Sequence, residues 1–349
     1  MSRISVIVPV YNVEDYLDWC LQSLYDQTLK DIEIVCVNDG STDSSRKKLD
    51  EWAARDSRIV IVDKPNGGLS SARNAGIRAA GSPYVCFLDS DDRFHLDACE
   101  AIVGIFDSTD ADVVTFGACC YPKEAGYPWL ENALSPRDVV YETFGLDLLF
   151  KENSRPFSWR TACRRDLLLQ KEIFFDETIR FGEDQVFDFA LYPRAGKTVL
   201  SSKKLYDYRV SRAGSLMDRI SGDIALKMGE HVKITDRILD DWRRGGFLDA
   251  YGAQMVSFVL DFSFYDALKL PDAEFAKIAD ALSGVLSKYW STEQLGALGL
   301  NNVDSKMVSA AFAPSSMGAL ARKKVALDHY AQLYGRRAAI HRLIEVLFH

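Results

Sequence analysis

Apolar runs and amphipathic stretches alternate over the first ninety residues of the chain. Runs of strand-forming apolar residues occupy positions 4–10, 32–37, 59–62 and 84–89. Continuous apolar runs of this length are typical of strands that are buried on both faces. Segments with apolar residues at helical spacing separate the runs, and this alternation is typical of βαβ units. The pattern therefore predicts an α/β fold with a Rossmann-like, mostly parallel sheet flanked by helices.

Polar loops follow the predicted strands, and parallel strands present such loops at one edge of the sheet, where ligands bind in open α/β folds. The loop at 88–92 reads Leu-Asp-Ser-Asp-Asp and places three acids within four positions. Crowded carboxylates repel one another unless a cation lies among them, and Mg²⁺ or Mn²⁺ suits such oxygen ligands. The alternative is an acidic turn in which Asp92 caps the next helix. The chain has neither GxGxxG nor a P-loop sequence, which argues against the usual dinucleotide and triphosphate folds.

Composition narrows the class of protein. The 349 residues carry a formal charge of −8, which argues against a general nucleic-acid binder. No apolar stretch approaches the ~18 residues of a membrane span, and the first residues lack a signal-peptide pattern. Seven cysteines without CxxC spacing fit reduced thiols of a cytoplasmic protein better than disulfides or a zinc site. The histidines form no cluster with one another or with the cysteines along the sequence, and His95 is expected to make a local contact only.

Four ordered motifs carry a resemblance to a known family. They are PVYN at 9–12, NDGSTD at 38–43, NGGLSSARNAG at 66–76 and LDSDD at 88–92. Together they resemble the family 2 glycosyltransferases of GT-A fold, and weaker similarity extends to 158–167, 181–187 and 208–215. The resemblance implies an inverting hexosyl- or N-acetylhexosaminyltransferase that moves a sugar from a nucleoside diphosphate, with UDP favoured, to an acceptor hydroxyl. It also implies a setting in bacterial surface-polysaccharide synthesis.

The resemblance assigns roles to individual residues. Pro9 and Asp39 would hold the base, Asp91 would bind the Mn²⁺ or Mg²⁺ ion that bridges the phosphates, and Asp89 would contact the ribose or that metal. The other substrate-binding residues implied are Asn66, Arg73, Ser90, Trp159, Arg212 and Ser215. Three alternatives remain open: Asp39 caps a turn, Arg73 is a solvent-exposed helix charge, and the loop at 212–215 is only a surface loop.

A general base is required on the acceptor side of the sugar. Asp184 is the candidate that the resemblance suggests, with its neighbour Glu183 as the alternative. Asp184 could instead cap the helix that follows, since acids favour that position. The two roles are compatible, because the end of a helix holds a carboxylate rigidly.

The rest of the chain is predicted to be helical, so the chain is divided into a catalytic domain at 1–220 and a helical C-terminal region at 221–349. The last thirty residues carry six Lys or Arg and two acids, a pattern that suits contact with an anionic membrane where lipid-linked acceptors are found. A solvated helical face or an oligomer contact is the alternative. Two other functions stay open: a sugar nucleotidyltransferase, for which PVYN lacks the Gly-rich basic loop, and a non-catalytic nucleotide-sugar-binding or assembly module, which the intact acids disfavour.

Overall fold

The four apolar runs form adjacent strands in the computed structural model, which describes residues 2–210, 222–335 and 337. The strands are β1 (Ile4–Val10), β2 (Ile32–Asn38), β3 (Ile59–Asp63) and β4 (Tyr84–Phe87). β1 pairs in parallel with both β2 and β4, and β2 pairs in parallel with β3. Every residue of β1 is buried, as its apolar run predicts. The predicted α/β fold with a parallel sheet core is confirmed.

Five further strands extend this core into a mixed sheet. They are β5 (Arg93–Phe94), β6 (Val113–Tyr121), β7 (Val139–Tyr141), β8 (Thr161–Arg164) and β9 (Thr198–Arg209). The order across the sheet is β3-β2-β1-β4-β8-β6-β9-β5, and β7 also pairs with β9. β8 is antiparallel to both β4 and β6, so β6 runs in the same direction as β4, and β9 is parallel to β6. The carboxyl ends of β6 and β9 therefore lie at the same edge of the sheet as those of β1–β4.

Helices connect the strands of this first unit, which comprises residues 1–212. They are α1 (Leu17–Tyr25), α2 (Ser45–Ala53), α3 (Leu69–Ala79), α4 (Ala98–Thr109), α5 (Pro128–Ala133), α6 (Leu146–Phe150), α7 (Arg165–Gln170) and α8 (Glu183–Leu191). Short 3₁₀ helices cover Lys123–Ala125, Ser158–Arg160 and Tyr192–Arg194.

A glycine sets how closely α3 approaches the sheet. A Cβ atom on Gly76 would lie 2.3 Å from Cγ2 and 3.2 Å from Cγ1 of Ile7, a fully buried residue of β1. Ile7 is β-branched and has few alternative rotamers, so it cannot turn aside easily. The close packing matters because α3 carries Arg73, one of the predicted site residues.

We expect Gly76→Ala to lower the free energy of unfolding by about 1–3 kcal/mol, the usual cost of overpacking a core. Gly104→Ala is the matched control, because Gly104 lies on the exposed face of α4 and an added Cβ meets nothing within 4 Å. That change should be neutral or stabilising, since alanine is the better helix former. Urea unfolding curves of both variants make the measurement, and equal effects would contradict the close approach.

The second unit spans residues 213–349, and all its described regular elements are helices. Its α-helices are Ile224–Arg244, Phe247–Ser263, Asp272–Leu286, Thr292–Ala297, Asn302–Phe312 and Ala319–Tyr334, with 3₁₀ helices at Ala267–Lys269 and Pro314–Ser316. The predicted helical C-terminal region is confirmed. Among the described residues, no helix combines the length and the apolar character needed to cross a membrane. The roles predicted for the two parts of the chain stay predictions.

Candidate active site

Asp39 lies directly after β2 and is nearly fully buried. Its carboxylate accepts hydrogen bonds from the backbone N–H groups of Gly67 (2.9 Å) and Gly68 (2.7 Å) and pairs with Lys64 Nζ at 2.5 Å. Gly68 adopts φ +90°, a conformation that favours glycine. Asp39 thus binds the loop between β3 and α3. It does not cap α2, the helix that follows its own motif, because the Ser45 N–H at the start of α2 donates to Asp43 instead.

Arg73 is the centre of the acidic cluster at this sheet edge. Its side chain is 1% exposed, so the alternative of a solvent-exposed helix charge is wrong. Nη2 donates to Asp89 Oδ1 at 2.9 Å, while Nη1 donates to Asp184 Oδ1 at 2.9 Å and to Glu183 Oε1 at 3.2 Å. Burial alone would lower the pKa of Arg73, but the three carboxylates outweigh burial and raise it. One guanidinium therefore joins the acidic motif after β4 to the acidic pair at the start of α8.

The α8 acids are held differently from each other. Gly182, with φ +72°, is the N-cap residue, so Glu183 and Asp184 lie in the first turn, where the helix dipole favours carboxylates. Neither residue is the cap itself. Asp184 Oδ1 accepts a second hydrogen bond from Ser158 Oγ at 2.6 Å. Burial, and then the charge of Asp184, raise the pKa of Glu183 to about 7.

The three carboxylates of the acidic motif at 88–92 have different surroundings. Asp92 is 1% exposed, and it accepts hydrogen bonds from Tyr206 Oη at 2.7 Å and from the Arg209 backbone N–H at 2.6 Å. Burial raises the pKa of Asp92 well above its usual value. β5 follows it, so Asp92 does not cap the next helix as the alternative proposed. Its contacts fasten the motif to β9.

The remaining two acids have the chemistry of a cation site. Asp89 and Asp91 are both only half-buried, and the hydrogen bond that Asp89 accepts from Arg73 is on its Oδ1 atom. Burial raises the pKa of Asp89, and a positive charge nearby opposes that shift. Hard oxygen donors that gain from added positive charge fit Mg²⁺ or Mn²⁺. The residues present therefore fit the predicted metal.

The structure describes four other residues that were predicted to contact substrate. Pro9 is buried in β1 beyond the last residue paired with β4, and Asn66 is exposed on the loop that Asp39 binds. Ser90 is buried within the acidic motif. Trp159 is 2% exposed and stacks on Tyr206, with ring centroids 4.2 Å apart, so packing covers its ring. Substrate contact by these four residues stays a prediction.

Arg212 and Ser215 lie outside the described residues, and the phosphate contacts expected of them also stay predictions.

Three contributors to the site were missed from the sequence. Lys64 follows β3 at the active edge and reaches Asp39. Ser158 donates to the candidate base, and Tyr206 donates to Asp92. Lys64 had a usable signal, because it is a charged residue directly after a strand that ends at the ligand-binding edge, and Ser158 lies in the segment 158–167 of weaker family similarity. Ser158 and Tyr206 come from elements whose register the sequence does not fix.

His95 was expected to make a local contact only, but the structure brings it to residues that are distant in the sequence. His95, Cys119 and Asp207 each present a polar atom within 4.8 Å of the others. Cys119 and Cys120 are both partly exposed.

The chain is similar in sequence to glycosyltransferases. The model of the family "Glycosyl transferase family 2" matches residues 5–169. "Glycosyltransferase GlyG" of Streptococcus pneumoniae is 31% identical over 222 residues, covering 61% of this chain and 72% of GlyG. "Uncharacterized glycosyltransferase EpsJ" of Bacillus subtilis is 35% identical over 211 residues, which is 59% of this chain and 60% of EpsJ. The match thus spans less than two thirds of EpsJ.

Solved structures show the same fold over nearly the whole chain. Crystal structures of S. aureus TarS residues 1–349 in complex with UDP and with UDP-GlcNAc both give a TM-score of 0.71, at 20% and 22% identity. They cover 96% and 95% of this chain and 92% of the TarS chain in each case.

Proposed function

This chain belongs to glycosyltransferase family 2, and we propose that it transfers a sugar from a nucleoside diphosphate, most simply UDP, to an acceptor hydroxyl with inversion at the anomeric carbon. The observation that carries the proposal is the convergence on Arg73 of Asp89 and Asp184, two acids from separate motifs 95 positions apart in the chain. A structural ion pair alone would not require three carboxylates around one buried guanidinium, because such crowding costs free energy unless a positive ligand arrives.

The nucleotide half of the site is assigned to the loops after β1, β2 and β3. Asp39 already holds the backbone of Gly67 and Gly68, and a carboxylate has about four lone-pair positions for donors. It therefore retains capacity for the ring N–H of a uracil. Support for UDP comes from the TarS structures of the same fold, which were solved with UDP and UDP-GlcNAc.

The diphosphate half is assigned to Asp89 and Asp91, which would hold Mn²⁺ or Mg²⁺. Such an ion supplies Lewis-acid stabilisation of the leaving diphosphate. Arg73 keeps Asp89 in place from the side of α3, and Asp92 fixes the loop through Tyr206. Asp184 would accept the proton of the acceptor hydroxyl on Oδ2, since both of its donors contact Oδ1.

The proposed cation dependence is tested with Asp91→Asn. Thermal stabilisation by UDP with Mn²⁺ should fall, because a ligand that binds only the native state stabilises it less when its affinity is lower. We expect donor affinity to drop about tenfold or more, a loss of ~1.4 kcal/mol, and EDTA to have the same effect on the unmodified chain.

Asp97→Asn is the matched control, since Asp97 is an exposed acid six positions along that makes no side-chain cap. It should bind donor and metal normally. Unchanged affinity and turnover in both EDTA and Asp91→Asn would refute the metal assignment.

The acceptor is proposed to be a glycan or lipid-linked hydroxyl compound of a bacterial surface. Family membership and the relatives' names support that class. Contact of the basic C-terminal region with a membrane, a cytoplasmic location and self-association remain predictions from the sequence alone.

A further inference from the structure

Three strands bring a nitrogen, an oxygen and a sulfur donor together beside the acidic motif. Asp207 of β9 is the register partner of Cys119 in β6 and of Arg93 in β5. Register partners on neighbouring strands point to the same face of a sheet, and His95, two positions beyond Arg93, shares that face. His95 Nε2 lies 2.9 Å from Asp207 Oδ1, and the Cys119 sulfur completes a group whose atoms are all within 4.8 Å.

Donors of these three kinds are the usual ligands of zinc. Zinc bonds of about 2.0–2.3 Å in a tetrahedron place ligand atoms roughly 3.3–3.8 Å apart. Cys119 and Asp207 lie on adjacent paired strands, and His95 directly follows β5 and bonds through its backbone N–H to Leu205 of β9. Small side-chain rotations would therefore bring the three atoms to that spacing. His95 also lines a cavity of about 360 Å³ together with Arg93.

Asp207 is the member of the group that is held most firmly. It is buried, and its two carboxylate oxygens have different partners, His95 on Oδ1 and Arg93 on Oδ2. Arg93 Nε occupies Oδ2 of Asp207 at 2.7 Å, which orients Oδ1 toward His95 and Cys119. That arrangement is the kind of supporting contact that ligating carboxylates have in metal sites.

We propose that His95, Cys119 and Asp207 form a zinc site, separate from the cation site of Asp89 and Asp91. The ion would replace the His95–Asp207 hydrogen bond and tie β5, β6 and β9 together. β5 directly follows the acidic motif, and β9 holds that motif through Tyr206 and Arg209. Zinc would therefore stabilise the frame that positions the motif without taking part in sugar transfer.

Cobalt(II) tests the proposal, because it occupies zinc sites and absorbs light through thiolate-to-metal charge transfer. The full chain, stripped with EDTA and freed of chelator, should bind one Co²⁺ with a charge-transfer band that Zn²⁺ abolishes by displacement. Cys119→Ser should lose the band. Cys120→Ser is the matched control, because Cys120 is similarly exposed on the same strand but points to the opposite face, and it should keep the band.

Two further variants make the result decisive. Asp91→Asn should retain the band, which separates this site from the proposed donor cation and from the outcome of the proposed function. His95→Gln should weaken Co²⁺ binding at least ~10-fold, and it carries the test if Cys119→Ser fails to fold by circular dichroism. Absence of the band in the unmodified chain at millimolar Co²⁺, or its persistence in both Cys119→Ser and His95→Gln, would overturn the proposal and leave an adventitious ion only.

Discussion

Asp184→Asn should lower turnover by about 10²–10⁴-fold, equivalent to about 3–5 kcal/mol of barrier, while donor affinity changes little. Asparagine keeps the shape of the side chain and can still accept from Arg73 and Ser158 through its carbonyl oxygen. It cannot take a proton from an acceptor hydroxyl. Loss of kcat with an unchanged response to UDP and Mn²⁺ would assign a role in the transition state rather than in binding.

Glu183→Gln is the control for this prediction. Because burial raises the pKa of Glu183 to about 7, much of it is protonated near neutral pH, and glutamine imitates that neutral form. Its turnover should stay within about tenfold of the unmodified chain. If Glu183→Gln abolished transfer and Asp184→Asn did not, the two roles would be exchanged. If neither variant altered turnover, the base would lie elsewhere.

Arg73→Met should have the largest effect on stability. The methionine retains the buried stem but removes the charge that faces Asp89, Glu183 and Asp184. Removing one partner from buried ion pairs costs about 3–5 kcal/mol, because the others are left uncompensated. Arg73→Lys is the matched variant, since it keeps the charge but cannot reach all three carboxylates with one fork, and it should cost less.

The pH dependence distinguishes lost charge from lost packing. The pKa of Glu183 is raised from 4.5 to about 7, so the folded state binds this proton more tightly than the unfolded state does. The stability that protonation contributes is complete below pH 4.5 and is lost as the pH rises through about 7. Without Arg73 the carboxylates repel one another more strongly, and protonation relieves that repulsion. The deficit of Arg73→Met in urea unfolding should therefore be greater at pH 8 than at pH 5. A deficit that does not vary with pH would point to packing against Phe175, over which Arg73 lies at 5.0 Å.

The parallel core of the fold could be predicted because the first ninety residues are built from local signals. β1–β4 are apolar runs bounded by turn residues, and their predicted limits differ from the observed ones by at most two residues. The later strands could not be placed, because β8 reverses direction between β4 and β6, and no short-range pattern specifies that order. β5 is only two residues long and is defined by pairing with β9.

The same contrast between local signals and strand order applies to the site residues. Residues inside the four motifs, such as Asp39 and Asp89, were found because the motifs resemble those of the family and directly follow predicted strands. Contacts that depend on β8 and β9 were missed, including Ser158 with Asp184 and Tyr206 with Asp92. The His95, Cys119 and Asp207 group shows the limit most clearly. Its members are up to 112 positions apart, and sheet register alone makes them neighbours.

The contacts of Arg73 also bear on the order in which the chain folds during synthesis. Asp89 is 16 positions away and is available as soon as β4 has formed, whereas Glu183 and Asp184 are 110 and 111 positions away. Local contacts form early, and pairs of long sequence separation form late, because closing a longer loop costs more entropy. The parallel core can therefore assemble as it leaves the ribosome, with Arg73 held first by Asp89 alone. Its acidic partners from α8 arrive only after more than half of the chain has been translated.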